Sequence, residues 1–172
     1  MKKKFDFILL PPDGFHQSFN DLISNSRKNF NLIENKLQKI CLANKKTFLI
    51  KYRTINQKLN FPCSNNHEVS YGKLLNYCNA NTKVIGPVAT AMLETLINNI
   101  SYYPYEFIKN NENNRMIIKN YNKILHISSS SSELFRNLDQ NRIFKDNNSV
   151  DSLLLPEGRK LNDIIVNILK GK

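Results

Sequence analysis

The chain has little glycine, with five residues in 172, and these lie far apart in the sequence. A glycine-rich phosphate loop needs several glycines close together, because the backbone itself approaches the phosphate. The five glycines, Gly14, Gly72, Gly86, Gly158 and Gly171, are not spaced in this way. The sequence therefore excludes a glycine-rich nucleotide loop, and we predict no cofactor.

Cysteine and histidine are equally scarce, at three residues each. The three cysteines, at positions 41, 63 and 78, contain no Cys-x2-Cys pair and form no disulfide framework of the kind found in small secreted domains. Cys63 and His67 have a spacing that metal ligands or a thiol–imidazole pair can use, but no further ligand or orienting group accompanies them. We predict no metal site, no catalytic residue and a reducing, cytoplasmic location.

Long hydrophobic runs are also missing. The N-terminal apolar stretch at positions 5–10 contains Asp6 and stops at Pro11, which is too short for a signal peptide. The longer segment at 84–100 is interrupted by several polar residues, among them Glu94. A membrane span needs about 20 consecutive apolar residues. We therefore predict no membrane span.

Positive charge is what the sequence has in excess. Lys and Arg total 25 against 14 Asp and Glu, a formal net charge of +11. Such a chain attracts polyanions, although its 27 asparagines also fit a compositional bias that enriches lysine without selection for binding. The cations concentrate between positions 36 and 58, at Lys36, Lys39, Lys45, Lys46, Lys51, Arg53 and Lys58.

The hydrophobic pattern predicts an α+β fold in a single domain over 1–172. The clearest predicted strand is 47–55, where apolar residues alternate with Lys51 and Arg53 as on a half-exposed sheet. We expect a mostly antiparallel sheet with helices packed on one side, supported by apolar helices at 87–100 and 160–169. The Asn- and Asp-rich segment 139–152 is predicted to be mobile. Further strands are expected at 30–33, 37–42 and 59–61, and a hairpin at 115–127.

These features favour a small non-enzymatic protein that contacts RNA or DNA within a larger assembly. On the predicted sheet face, phosphate contacts would come from Lys39, Lys51, Arg53 and Lys58. An acidic protein surface is the other partner that this charge fits.

Two alternatives remain open. The first is an interaction or regulatory subunit, as a homodimer or as part of a complex, that uses the apolar helix 87–100 and an aromatic interface of Tyr102, Tyr103, Tyr105 and Phe107. The second is an enzyme or binder that acts on an anionic small molecule held by an arginine such as Arg53 or Arg115. A deep pocket lined by arginine and by a partly buried acid, for which Glu94 is the candidate, would favour this second alternative.

Overall fold

The computed structural model describes residues 3–12, 20–63, 68–106 and 121–145. The strands are β1 (Phe7–Leu9), β2 (Phe48–Lys51), β3 (Glu68–Ser70), β4 (Lys83–Pro87) and β5 (Ser101–Tyr105). The helices are α1 (Asn20–Ala43), α2 (Ile55–Asn60), α3 (Thr90–Ile97) and α4 (Ser131–Asp139), with a short 3₁₀ helix at Leu74–Tyr77. Strands and helices thus alternate through much of the described chain, which is typical of an α/β fold.

The five strands form one sheet in the order β3-β2-β1-β4-β5. Each neighbouring pair is parallel, so the predicted antiparallel sheet is wrong. The chain runs outward from β1 through β2 to β3, and then returns to place β4 on the other side of β1. The strand order therefore reverses between β1 and β4, which makes this position the topological switch point of the sheet.

Helices cover both faces of the sheet, which also corrects the prediction of helices on one side. Buried residues of α1 and α4 pack with Leu9 on one face. Buried residues of α3 and of the 3₁₀ helix pack with Ile8 on the other. Because the central strand is buried on both faces, it is a short continuous apolar run rather than an alternating one.

The longest helix, α1, occupies a region where two strands were predicted, at 30–33 and 37–42. Its buried side chains recur at helical spacing, and together they face the sheet: Phe30, Ile33, Leu37 and Cys41. The strand prediction was wrong because two exposed leucines interrupt this pattern. Leu32 and Leu42 are 50% and 73% exposed and lie on the outer side of the helix.

The predicted strand at 47–55 is confirmed only in its first half, since β2 ends at Lys51. Thr54 then caps the N-terminus of α2, where its hydroxyl oxygen accepts a hydrogen bond from the backbone N–H of Gln57 at 3.2 Å. The predicted strand at 59–61 is wrong, because residues to Asn60 belong to this helix. The basic residues after Lys51 therefore lie on a loop and a helix, not on a sheet.

The predicted apolar helix 87–100 is shorter than expected, because α3 begins at Thr90. Pro87 is the last residue of β4, and the aromatic run that follows the helix forms β5. The predicted helix 160–169 lies outside the described residues, as do residues 115–120 of the hairpin expected at 115–127. In the described part of that hairpin, Leu125 forms an isolated bridge with Phe144, later in the chain. The polar segment predicted to be mobile is described only as far as residue 145.

Candidate anion-binding site

A cavity of about 580 Å³ lies at the carboxyl edge of the sheet. Its walls include Leu10 and Pro11 after β1, Lys51 and Arg53 at the end of β2, and Pro87 at the end of β4. The cavity thus occupies the switch point between β1 and β4, where open parallel sheets bind their ligands. Its size falls within the roughly 300–1,000 Å³ typical of small-molecule sites.

Lys51 brings a half-buried cation to this cavity. The side chain is held near the end of β2, where its Nζ donates to the carbonyl oxygen of Tyr52 at 3.2 Å. Burial lowers the pKa of Lys51, and the nearby Glu94 carboxylate opposes this effect. A partly desolvated ammonium group gains more from a bound anion than a fully hydrated one does, because the local dielectric constant is lower.

Two further cations complete the positive lining. Arg53 is exposed and lies two residues after Lys51. Lys73 is also exposed and directly precedes the 3₁₀ helix. The cavity is therefore lined by three cationic side chains and by one carboxylate, Glu94. This balance favours a ligand that carries negative charge.

The first turn of α3 forms the opposite wall, through Ala89, Thr90 and Ala91. Ala89 is the N-cap residue and supplies no side-chain hydrogen bond to the helix. Amide groups at a helix N-terminus carry partial positive charge and interact favourably with anions. This wall therefore adds to the positive potential of the lysine and arginine side chains.

Tyr102 of β5 forms part of the cavity lining beside β4. Its hydroxyl donates to the carbonyl oxygen of Pro87 at 2.7 Å. The Tyr102 ring passes over Gly86, where an added Cβ would meet the hydroxyl oxygen well inside van der Waals distance. Gly86 is thus required by packing, since its missing side chain leaves the space for the tyrosine.

A second cavity, of about 330 Å³, lies near the amino ends of β1 and β4. Its two lysines already have polar partners. Lys46 Nζ lies 3.2 Å from the Asp6 carboxylate, and Lys83 Nζ donates to Asn141 Oδ1 at 2.7 Å. The smaller cavity has two cations and one carboxylate in its lining, against three cations and one carboxylate in the larger cavity, which is therefore the better candidate for an anion site.

The structure separates the four residues predicted to contact nucleic-acid phosphates. Lys51 and Arg53 line the same cavity, whereas Lys39 lies on the exposed side of α1 and Lys58 lies on α2. The sheet face expected to carry all four is covered by helices. The acidic candidate, Glu94, does line the cavity, but it is exposed and not partly buried as predicted.

The residues predicted to form an aromatic interface lie mostly in the core of the chain. Tyr102, Tyr103 and Tyr105 are 0%, 2% and 4% exposed, and Phe107 lies outside the described residues. Arg115, offered as an alternative carboxylate-binding arginine, also lies outside them. The three tyrosines pack in the two cores on either side of the sheet.

Sequence reasoning missed Lys73 and Gln57 as members of the site. Both line the cavity, but they come from different connections of the sheet. Only the parallel strand order brings these connections to the same edge. Pro87 was the one local signal of the end of a strand. From the sequence, Pro87 was instead placed at the start of a longer helix.

Within the described parts of the chain, no three His, Cys, Asp or Glu side chains are grouped as metal ligands would be. Burial raises the pKa of the Cys41 and Cys78 thiols to about 11, as expected for cysteines packed in a core. In the same parts, no helix combines the length and apolar character needed to cross a membrane.

Comparisons with family models, curated protein sequences and solved structures gave no match to this chain. The geometry of the cavity is therefore the basis for assigning a function.

Proposed function

We propose that the protein binds a small phosphorylated molecule in the switch-point cavity, as an anion-binding protein or as the binding part of an enzyme. The observation that supports this most strongly is the convergence of Lys51, Arg53 and Lys73 on one cavity at the carboxyl edge of a parallel sheet. Phosphate groups carry more charge than a single carboxylate and interact strongly with lysine and arginine.

The cavity would hold the phosphate through side chains and not through a glycine-rich loop. In the segment after β1, Leu10 donates its backbone N–H to Ile85, and the next two residues, Pro11 and Pro12, have no backbone N–H to donate. The donors therefore come from the end of β2, from Lys73 and from the first turn of α3. Glu94 would accept hydrogen bonds from hydroxyl groups on the uncharged part of the ligand. Carboxylates bind the hydroxyl groups of ribose in the same way.

Binding of a small ligand in the cavity and binding of a nucleic acid require different residues. A phosphate backbone would need several cations spread along an exposed surface, so Lys39 and Lys51 would contribute alike. The affinity for a small ligand in the cavity should depend on Lys51 but not on Lys39, because Lys39 is not among the residues that line the cavity.

The test compares Lys51→Met with Lys39→Met, which remove the same charge inside and outside the cavity. Calorimetric titration with inorganic pyrophosphate and with adenosine triphosphate should give affinities about 10–100-fold weaker for Lys51→Met, the equivalent of one charge-assisted hydrogen bond. Lys39→Met should bind both ligands like the wild type.

A uridine homopolymer in the same titration tests the alternative. If the wild type binds this RNA but neither phosphate ligand, and if Lys39→Met and Lys51→Met weaken RNA binding equally, the proposed function is wrong.

A further inference from the structure

Gln57 is one of the few buried polar residues of the described chain, at 7% exposed. It lies in α2, and its side chain connects three backbone positions. The Nε2 group donates to the carbonyl oxygens of Pro11 and Pro12, both at 3.0 Å. The Oε1 atom accepts a hydrogen bond from the backbone N–H of Arg53 at 2.6 Å. One side chain thus ties the segment after β1 to the segment after β2.

This arrangement requires an amide. One side of Gln57 faces a donor and the other faces two acceptors, so the side chain must both accept and donate hydrogen bonds. An ionised glutamate only accepts, and a methionine of similar size does neither effectively. The hydrogen-bond pattern therefore distinguishes glutamine from its closest substitutes.

Gln57 holds the carbonyl groups of Pro11, which lines the cavity, and of Pro12, which follows it, and carbonyl oxygens repel anions. Other carbonyls at this edge are occupied in the same way. Tyr105 donates to the carbonyl oxygen of Leu10 at 3.1 Å, and Tyr102 donates to that of Pro87 at 2.7 Å. Side-chain donors thus occupy four carbonyl oxygens at this edge, which weakens the repulsion between these carbonyls and an anion in the cavity.

We infer that Gln57 is a positioning residue that sets the anion affinity of the cavity, by occupying the Pro11 and Pro12 carbonyls and by fixing the backbone of Arg53. The inference rests on the proposed function, because it concerns the same cavity. Gln57 would affect the ligand through the backbone of Pro11, Pro12 and Arg53.

The experiment measures pyrophosphate affinity of the wild type, Gln57→Glu and Gln57→Met between pH 5.5 and pH 8. At pH 8 both variants should bind about tenfold more weakly than the wild type, the equivalent of one lost hydrogen bond. Affinities are expressed relative to the wild type at each pH, since pyrophosphate itself titrates in this range.

The pH dependence separates positioning from a general loss of structure. Burial next to carbonyl oxygens raises the pKa of a carboxyl group, so the introduced glutamate should be protonated as the pH falls. The protonated acid can again donate to one of the two proline carbonyls. The deficit of Gln57→Glu should therefore shrink towards pH 5.5, whereas that of Gln57→Met should stay constant.

Circular dichroism establishes that each variant is folded, and Gln57→Asn replaces Gln57→Met if the latter is not. The shorter asparagine cannot reach Pro11 and Arg53 together, so the same loss of affinity is expected. Folded variants that bind within twofold of the wild type, or a Gln57→Glu deficit that does not change with pH, would overturn the inference. If Lys51→Met is weakened while the Gln57 variants bind normally, only this inference fails. If the wild type does not bind pyrophosphate, the proposed function itself fails.

Discussion

Replacing Ile8 with alanine should lower the free energy of unfolding by about 2–5 kcal/mol, and replacing its neighbour Leu9 should lower it by a similar amount. Both side chains are 0% exposed, but they belong to different cores. Ile8 packs towards α3, and Leu9 packs towards α1 and α4. Adjacent residues on a strand point to opposite faces, so two large losses require two covered faces.

Urea denaturation followed by circular dichroism measures both losses. Leu42→Ala is the control, because Leu42 is 73% exposed on α1 and should change stability by less than about 0.5 kcal/mol. The one-sided sheet expected from the sequence would make only one of the two β1 substitutions costly. A loss near that of the control for either Ile8→Ala or Leu9→Ala would contradict the two-sided fold.

Gly86→Ala should lower the free energy of unfolding by about 1–3 kcal/mol, as is usual for overpacking a filled core. The added Cβ would lie 3.0 Å from Leu10 Cβ and 3.1 Å from Tyr102 Cζ, in addition to its clash with the tyrosine hydroxyl. A strand position would otherwise favour alanine over glycine, because alanine restricts the unfolded chain. The loss therefore measures the contacts with Tyr102 and Leu10 and not a preference of the backbone.

A double-mutant cycle with Tyr102→Phe tests this cause. Removing the hydroxyl relieves the closest contact but also removes the hydrogen bond to Pro87, so the two losses should add to more than the loss of the double variant. Gly72→Ala is the matched control. Its Cβ would meet the Tyr77 hydroxyl oxygen at 2.7 Å, but Tyr77 is only half-buried and can move away. Full additivity in the cycle, or equal losses for Gly86→Ala and Gly72→Ala, would contradict the packing explanation.

The sequence was sufficient to locate the apolar runs of β1 and β2 but not to determine the direction in which these strands pair. Runs such as the one that contains Ile8 and Leu9 are recognisable by composition, since strands buried on both faces are rich in large apolar residues. Their pairing is not local, because β1 pairs with β2 and with β4, which lie far along the chain. A short apolar run is compatible with parallel and with antiparallel partners, so the direction of pairing could not be determined from the run.

The alternation around Lys51 and Arg53 was misleading for a related reason. It resembled one face of an exposed strand, but β2 ends at Lys51, and Leu49 is buried on the second face. Charged residues that follow a buried strand mark its carboxyl end, where parallel sheets place their binding sites. The same two residues, predicted to contact phosphates from an exposed sheet face, instead line the cavity at the carboxyl edge of the sheet.

The remaining members of the site could not be recognised from the sequence. Lys73 and Gln57 acquire their positions from the order of the strands, and neither has a local pattern that distinguishes it from an ordinary surface residue. The role of Gln57 in particular depends on the carbonyls of Pro11 and Pro12, some 45 residues away in the chain.

The most direct measurement of the central claim is a proton–nitrogen correlation spectrum of the labelled protein during titration with inorganic pyrophosphate. The proposed site predicts that the largest amide shifts occur at Lys51, Arg53, Lys73 and the first turn of α3, at Thr90 and Ala91, and that the exposed side of α1 around Lys39 changes little. Shifts concentrated around Lys39, or no shifts at millimolar pyrophosphate, would contradict the account.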